Sequence, residues 1–244
     1  MSTPILELRD VEAGYGPFRA LFGVSLTVAA GEAMALVGAN GAGKTTLARV
    51  ASGLLAPTAG TVLVDGADVG EGAPSAWRFV RAGVAHAPEG RSVFASLTVE
   101  ENLALSFHRA FGRTKLAEAL ERAYELFPPL GGRRGQLAGT LSGGEQRMLS
   151  LARVLVESPR LLIADELSLG LAPMIVDQVF ETLGQIRDAG TALLIVEQQV
   201  GHALGLCDRA AVIEHGLITW HGPAGRAGAA LESHLFESTT TRLK

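Results

Sequence analysis

One cysteine, Cys207, stands in 244 residues, which excludes an internal disulfide framework and a cysteine-rich metal site. Lysine is nearly as scarce: it occurs only at 44, 115 and 244, while arginine is common. Aromatic residues make up 5% of the chain beside a hydrophobic content of 48%, the balance of a globular protein and not of a disordered one. No uninterrupted apolar run approaches the ~18 residues that cross a bilayer. Glu7, Arg9 and Asp10 come early, which argues against a secretory leader. A formal charge of −4 gives no electrostatic reason to expect nucleic acid or anionic lipid as a partner. The expected compartment is the cytoplasm. Internal repeats and low-complexity tracts are absent, and the length allows one large domain or two small ones.

What is present centres on Gly38-Ala39-Asn40-Gly41-Ala42-Gly43-Lys44-Thr45-Thr46. This fits G-x-x-x-x-G-K-[ST], and the flanks supply the context the pattern needs. Ala33–Val37 before it is a short apolar strand, and the residues from Thr45 to Ser52 after it read as a helix that Gly53 ends. Glycines let the backbone turn successive N–H groups onto phosphate oxygens, and the following helix points its positive end at the same anion. Lys44 is placed to reach the β/γ-phosphates and the Thr45 hydroxyl to hold Mg²⁺. The expectation is a nucleoside triphosphate site. Tyr15, between two glycines, either stacks on an adenine ring or stands as a half-exposed loop tyrosine.

Along the chain, Ile5–Val11, Val24–Val28, Thr61–Val64 and Gly83–Ala87 read as strands, with a helix over Pro74–Val80 between the last two. From Thr98 to about Glu157 the signals turn helical. Thr98 and Glu101 form a capping box, and Leu116–Phe127 is a helix closed by Pro128 and Pro129. Residues 91–160 carry ten basic and seven acidic side chains, an ordinary solvated surface. Strand 160–166, helix Pro173–Ala189 and strand Thr191–Glu197 then restore the alternation of a mostly parallel sheet, and Ala210–Ile213 with Leu217–Trp220 reads as a hairpin. In such sheets ligands sit at the carboxyl ends of the strands, where Asp165, Glu166 and Glu197 fall.

Leu161–Ala164 followed by Asp165 has the form of a Walker B strand, whose Asp orients Mg²⁺; Glu166 beside it is placed to polarise an attacking water. The stretch Leu141-Ser142-Gly143-Gly144-Glu145-Gln146 is a second capping box with two glycines in its first turn. Glycine costs ~1 kcal/mol there relative to alanine, so something is expected to approach that backbone closely, and an anion is the natural candidate. Since the P-loop already serves this chain's own phosphates, the economical arrangement is that this helix faces a nucleotide held by another subunit.

With the P-loop, LSGGEQ and the Asp165-Glu166 strand in this order, the chain resembles the nucleotide-binding subunit of ABC transporters over essentially its whole length. That resemblance implies an α/β P-loop NTPase fold, a RecA-like parallel core with an antiparallel β subdomain and an α-helical subdomain. It implies a single ABC ATPase domain over 1–244, with about 1–89 and 158–244 as the core and about 90–157 as the helical part. Two such domains would sandwich two ATP molecules head to tail. Tyr15, residues 38–46 and, from the opposing subunit, Ser142, Gly143, Gly144, Glu145 and Gln146 would contact nucleotide. Thr45, Asp165 and Glu89 would lie at Mg²⁺, and Lys44, Glu166 and Gln198 would be the catalytic set.

Pro88–Phe94, Leu97–Leu103, Tyr124–Pro128, Ser168–Pro173 and Val196-Glu197-Gln198 narrow the resemblance to the second of the two ATPases of branched-chain amino-acid importers. Their partners are two permease subunits, a paralogous ATPase or a second copy, and, indirectly, a solute-binding protein, with the ATPase on the inner face of the membrane. Relatives take amides, urea or other small solutes. Phe94 and Leu97 would help form the groove that receives a permease loop helix. The chain departs from the superfamily pattern in four places. Glu89 replaces a glutamine, Gln198 a histidine, Leu167 a proline and Ala172 an aspartate. The first two also occur in this subfamily, and an amide at 198 donates a hydrogen bond without carrying charge. A soluble ABC ATPase of repair or translation, an exporter ATPase and a non-enzymatic nucleotide sensor are the rival readings. The first typically carries tandem cassettes, the second is more often fused to membrane spans, and the third has no use for Glu166.

Overall fold

The structure is a computed structural model that describes residues 3–70, 75–90 and 92–231. Pro74, expected to open a helix, and Arg91 of the Pro88–Phe94 stretch lie outside the described residues. In chain order the elements are β1 (Leu6–Tyr15), β2 (Phe18–Val28), β3 (Ala33–Val37), α1 (Lys44–Ala51), β4 (Ala59–Val64), β5 (Ala67–Asp68), α2 (Ala76–Arg81) and β6 (Val84–Ala87). There follow α3 (Val99–Phe111), α4 (Leu116–Leu126), α5 (Pro128–Gly131), α6 (Gly143–Leu155), β7 (Leu161–Asp165) and α7 (Pro173–Asp188). The last are β8 (Ala192–Glu197), α8 (Val200–Leu206), β9 (Arg209–Glu214) and β10 (Leu217–Pro223).

Two compact units result. The first takes the chain up to His86, Arg160–Glu166 and the residues from Arg187 onward. It holds an antiparallel sheet in the order β2-β1-β4-β5 and a six-stranded sheet in the order β10-β9-β3-β8-β7-β6. In the latter β9, β3, β8 and β7 run parallel, as a strand–helix alternation requires. All five residues of β3 are buried because it lies between β8 and β9, and a strand covered on both faces reads as a continuous apolar run. Leu36, Leu47, Ile163, Leu194 and Ile213 of these strands and α1 share one core with Leu6, Leu8 and Val64 of the antiparallel sheet.

Register then fixes where the polar residues emerge. Val37 lies beside Glu197 and Asp165 beside Val196, so β3, β8 and β7 end level with one another. The antiparallel strands β1 and β2 are longer than their alternation predicts. Tyr15 is the last residue of β1, with only Gly16 and Pro17 in the turn, and not part of a flexible loop.

The second unit comprises Ala87–Pro159 and Leu167–Ile186. Both predicted capping boxes form: Thr98 and Ser142 each accept from the N–H three residues on, and Glu101 and Glu145 each accept from the cap's own N–H. Leu103, Phe107, Leu130 and Leu149 are fully buried between α3, α5 and α6. Pro128 ends α4 as expected but also opens α5, where a missing N–H leaves no bond unmade.

Candidate functional site

In the first unit the site is built by three strand ends. The P-loop leaves β3 with Gly38 pressed against β9: a Cβ there would stand 2.3 Å from the Ile213 carbonyl oxygen. Gly41 and Gly43 have φ of +77° and +109°, which glycine adopts without strain. Gly43 caps α1 with no side-chain bond, so no side chain shields the first-turn N–H groups. Ala39, Asn40 and Gly41 are exposed, while Gly38, Ala42, Lys44 and Thr46 are buried.

Lys44 is 4% exposed, and its ammonium donates to the carbonyls of Gly38 (3.0 Å) and Ala39 (3.1 Å). It also pairs with Oε1 of Glu166 at 3.2 Å. Thr45 Oγ1 lies 3.4 Å from Oδ1 of Asp165, itself 1% exposed. A hydroxyl and a carboxylate so placed are hard oxygen donors of the kind Mg²⁺ takes, with phosphate and water completing its shell. Among the described residues no group of three or more His, Cys, Asp and Glu could hold a metal.

Glu166 sits at φ +46°, a conformation rare for a side chain of this size, and its N–H donates to the Val196 carbonyl at 2.8 Å. The turn is what carries the carboxylate from the end of β7 back toward Lys44. A cavity of about 600 Å³ lies over the P-loop, lined by Gly38, Asn40, Gln198, Glu214 and His215 among others. Gln198 therefore lines the same cavity as the P-loop residues. Glu214 and His215 were not foreseen; their only sequence signal is the hairpin turn they occupy.

Tyr15 does not line that cavity. It is 42% exposed, its hydroxyl accepts a bond from Arg49 at 3.0 Å, and the Arg49 guanidinium lies 5.8 Å from its ring centroid.

In the second unit Ser142 is exposed at the start of α6. Burial alone would raise the Glu145 carboxyl, but the Ser142 N–H, Arg133 and the Ser142 hydroxyl together hold it below the ordinary carboxylate value. Gln146 differs from the expectation that it faces nucleotide. Its side chain is 5% exposed and its amide donates to the Ala138 carbonyl at 2.9 Å, so its polar group is engaged inside the fold. Gly144 has an intrachain cause as well, since a Cβ there would stand 2.9 Å from Cγ2 of Ile175 on α7. Glu89 is exposed on a loop whose flanking carbonyls, those of Pro88 and Gly90, both accept from Arg147. Phe94 is 46% exposed, with Arg153 5.0 Å from its ring centroid. Arg147 is a residue that sequence reasoning passed over; nothing in its spacing announces a partner 59 positions away.

The family described as "ABC transporter" matches residues 21–168, a span that holds the P-loop, the α6 turn and the Asp165-Glu166 strand end. The chain belongs to this family. This ABC ATPase is 43% identical over 227 residues to the high-affinity branched-chain amino acid transport ATP-binding protein BraG of Pseudomonas aeruginosa, covering 93% of the chain and 94% of that protein. It is 33% identical over 234 residues to a probable branched-chain amino acid transport ATP-binding protein, LivF, of Archaeoglobus fulgidus, covering 96% and 97%. Among solved structures, an ATP-binding subunit of an ABC transporter superposes with a TM-score of 0.81 at 28% identity, covering 97% of this chain and 99% of that one. The ADP conformation of an ATP-binding cassette does so with a TM-score of 0.77 at 25% identity, covering 91% and 92%.

Proposed function

We propose that this ABC ATPase is the ATP-hydrolysing subunit of an importer for branched-chain or closely related small amino acids. The observation that carries the hydrolytic part is the convergence of Lys44, Thr45, Asp165 and Glu166 at two level strand ends. Similarity to BraG along 93% of the chain supports the solute class. In this reading residues 1–244 are one ATPase domain. The P-loop N–H groups and Lys44 bind the triphosphate, and Tyr15 lies at the base. Thr45 and Asp165 would hold Mg²⁺. A cation held there would supply positive charge to the phosphates. Glu166 orients the attacking water and takes its proton, and the Gln198 amide donates to the γ-phosphate.

The Ser142–Gly144 turn of a second ATPase subunit, identical or paralogous, closes over the same nucleotide, with Glu145 and Gln146 holding the turn in shape. Closure and reopening drive two permease subunits that a solute-binding protein supplies, with the ATPase on the inner membrane face. Among the described residues no helix is long and apolar enough to cross a membrane. The test is to co-express the chain with a permease pair and trap ATP in an E166Q complex. Cysteine crosslinking should then place position 142 within reach of the opposing P-loop. If 142 stays remote, or if the chain does not co-purify with a permease, the proposal fails.

A further inference from the structure

Helix α1 leaves the P-loop tightly packed: from Thr46 to Ala51 every residue is buried except Arg49. Arg49 lies one and a half turns past Lys44, about 7.5 Å farther along the axis. Its Nη1 donates to the Tyr15 hydroxyl at 3.0 Å, and its guanidinium carbon lies 5.8 Å from the Tyr15 ring centroid. None of the ion pairs among the described residues includes Arg49, so the phenol is the group that fixes its charged end. Tyr15 ends β1 beside the tight Gly16-Pro17 turn and keeps 42% of its surface exposed. Strand end and helix belong to the same compact unit.

A bond between two exposed side chains adds little to folding stability. What it removes is freedom. A half-exposed phenol otherwise turns about χ1 and χ2, and holding its hydroxyl settles both. The anchor is carried by the helix whose first turn faces the P-loop, so the ring keeps a set distance from those N–H groups. A ligand that joins an aromatic base to a phosphate chain meets two surfaces already arranged, and loses less freedom on binding. We propose that Arg49 is a positioning residue for the base of the nucleotide, holding the Tyr15 ring as a stacking surface in register with the P-loop. The inference rests on the reading of Tyr15 as the side chain that meets the base.

The test is calorimetric titration of the full chain with ADP and with inorganic pyrophosphate, which has phosphates and no base. R49M keeps the length of the side chain and loses the donor. It should weaken ADP binding about fivefold and leave pyrophosphate binding within about twofold of wild type. R49K should fall between, because an ammonium still donates to the hydroxyl. Y15F keeps the ring and loses the acceptor, so it should match R49M. The Y15F/R49M double variant should be no weaker than either single variant, within about twofold, since both remove one bond. Y15A removes the surface itself and should weaken ADP binding about tenfold or more.

ADP binding by R49M at wild-type strength overturns the proposal. Equal losses for ADP and pyrophosphate overturn it as well, because Arg49 would then act on the phosphates or on the fold. If Y15A binds ADP as wild type does, the reading of Tyr15 fails and this inference with it. If Y15A is weakened while R49M is not, only the role of Arg49 fails. Should R49M not fold, R49K and Y15F decide by the same comparison.

Discussion

The Lys44 ammonium lies 3.2 Å from a carboxylate oxygen of Glu166, with the two side chains only 3% and 11% exposed. One cation thus faces both the proposed general base and the P-loop, where the phosphates are proposed to bind. A triphosphate arriving at the P-loop competes with Glu166 for Lys44, and in so little water the competition is strong. Replacing Glu166 by Gln removes the rival charge and the base together. ATP affinity should therefore rise several-fold while turnover of the assembled transporter falls by at least about 100-fold. Equilibrium dialysis and phosphate release separate the two effects. Weaker binding, or turnover within a factor of about two of wild type, would show that Glu166 is not the general base.

Gly38→Ala tests the frame of the P-loop itself. The new methyl would stand 2.3 Å from a backbone oxygen of β9, which cannot swing aside as a side chain does. The loop must lift from the sheet, at a cost of about 1–3 kcal/mol in stability. Both the midpoint of urea unfolding and nucleotide affinity should fall. An alanine variant with unchanged midpoint and affinity would show that the loop is not held by this contact.

Much of the fold was legible because it is encoded locally. Strand β3 and its loop, the carboxylates ending β7, and both capping boxes are patterns of near neighbours, and each forms where expected. What is long-range was not legible. No spacing rule pairs Tyr15 with Arg49, or Arg147 with the carbonyls beside Glu89. The glycines of the α6 turn show the limit most plainly. A close approach was expected and is present at Gly144, but the group that approaches is Ile175 of the same chain. Composition tells that room is needed and cannot tell for what. The short helix α8 was passed over because seven residues following Gln199 carry no cap side chain.

Asn102 is a core residue despite its polarity: it is fully buried. Its Oδ1 accepts the Phe94 N–H at 2.8 Å, and its Nδ2 donates to the carbonyls of Phe94 (3.0 Å), Leu97 (3.3 Å) and Thr98 (2.9 Å). The side chain is thus the hub that folds residues 94–98 onto α3. Asn102→Leu keeps the branched shape and takes away the acceptor of the Phe94 N–H, while the carbonyls of Phe94, Leu97 and Thr98 still accept from the N–H groups of Leu97, Ala138 and residue 102, so the change should cost about 1–3 kcal/mol. Urea unfolding measures it directly. Because the P-loop is built from other elements, nucleotide affinity of the folded fraction should stay within about twofold of wild type.

His86 predicts a pH dependence. Its Nδ1 lies 3.2 Å from Ser52 Oγ, whose hydroxyl also reaches the Ala48 carbonyl at 2.8 Å, and its Nε2 is buried with no hydrogen-bond partner among the described residues. Burial first, and the charge of Arg49 second, push the ring down from 6.5 to about 4. The folded chain therefore holds the imidazole neutral at a pH where the unfolded chain takes up a proton. Its contribution is complete above about 6.5 and is lost progressively as pH falls toward 4. At pH 5 the loss amounts to about 2 kcal/mol relative to pH 7. His86→Met removes the titrating group and keeps an apolar filling of the site, so its stability relative to wild type should improve by about that much between pH 7 and pH 5. The difference between the two proteins cancels every other carboxylate and histidine, so urea titrations at the two pH values suffice. Equal pH slopes would mean that the ring is solvated in the folded protein.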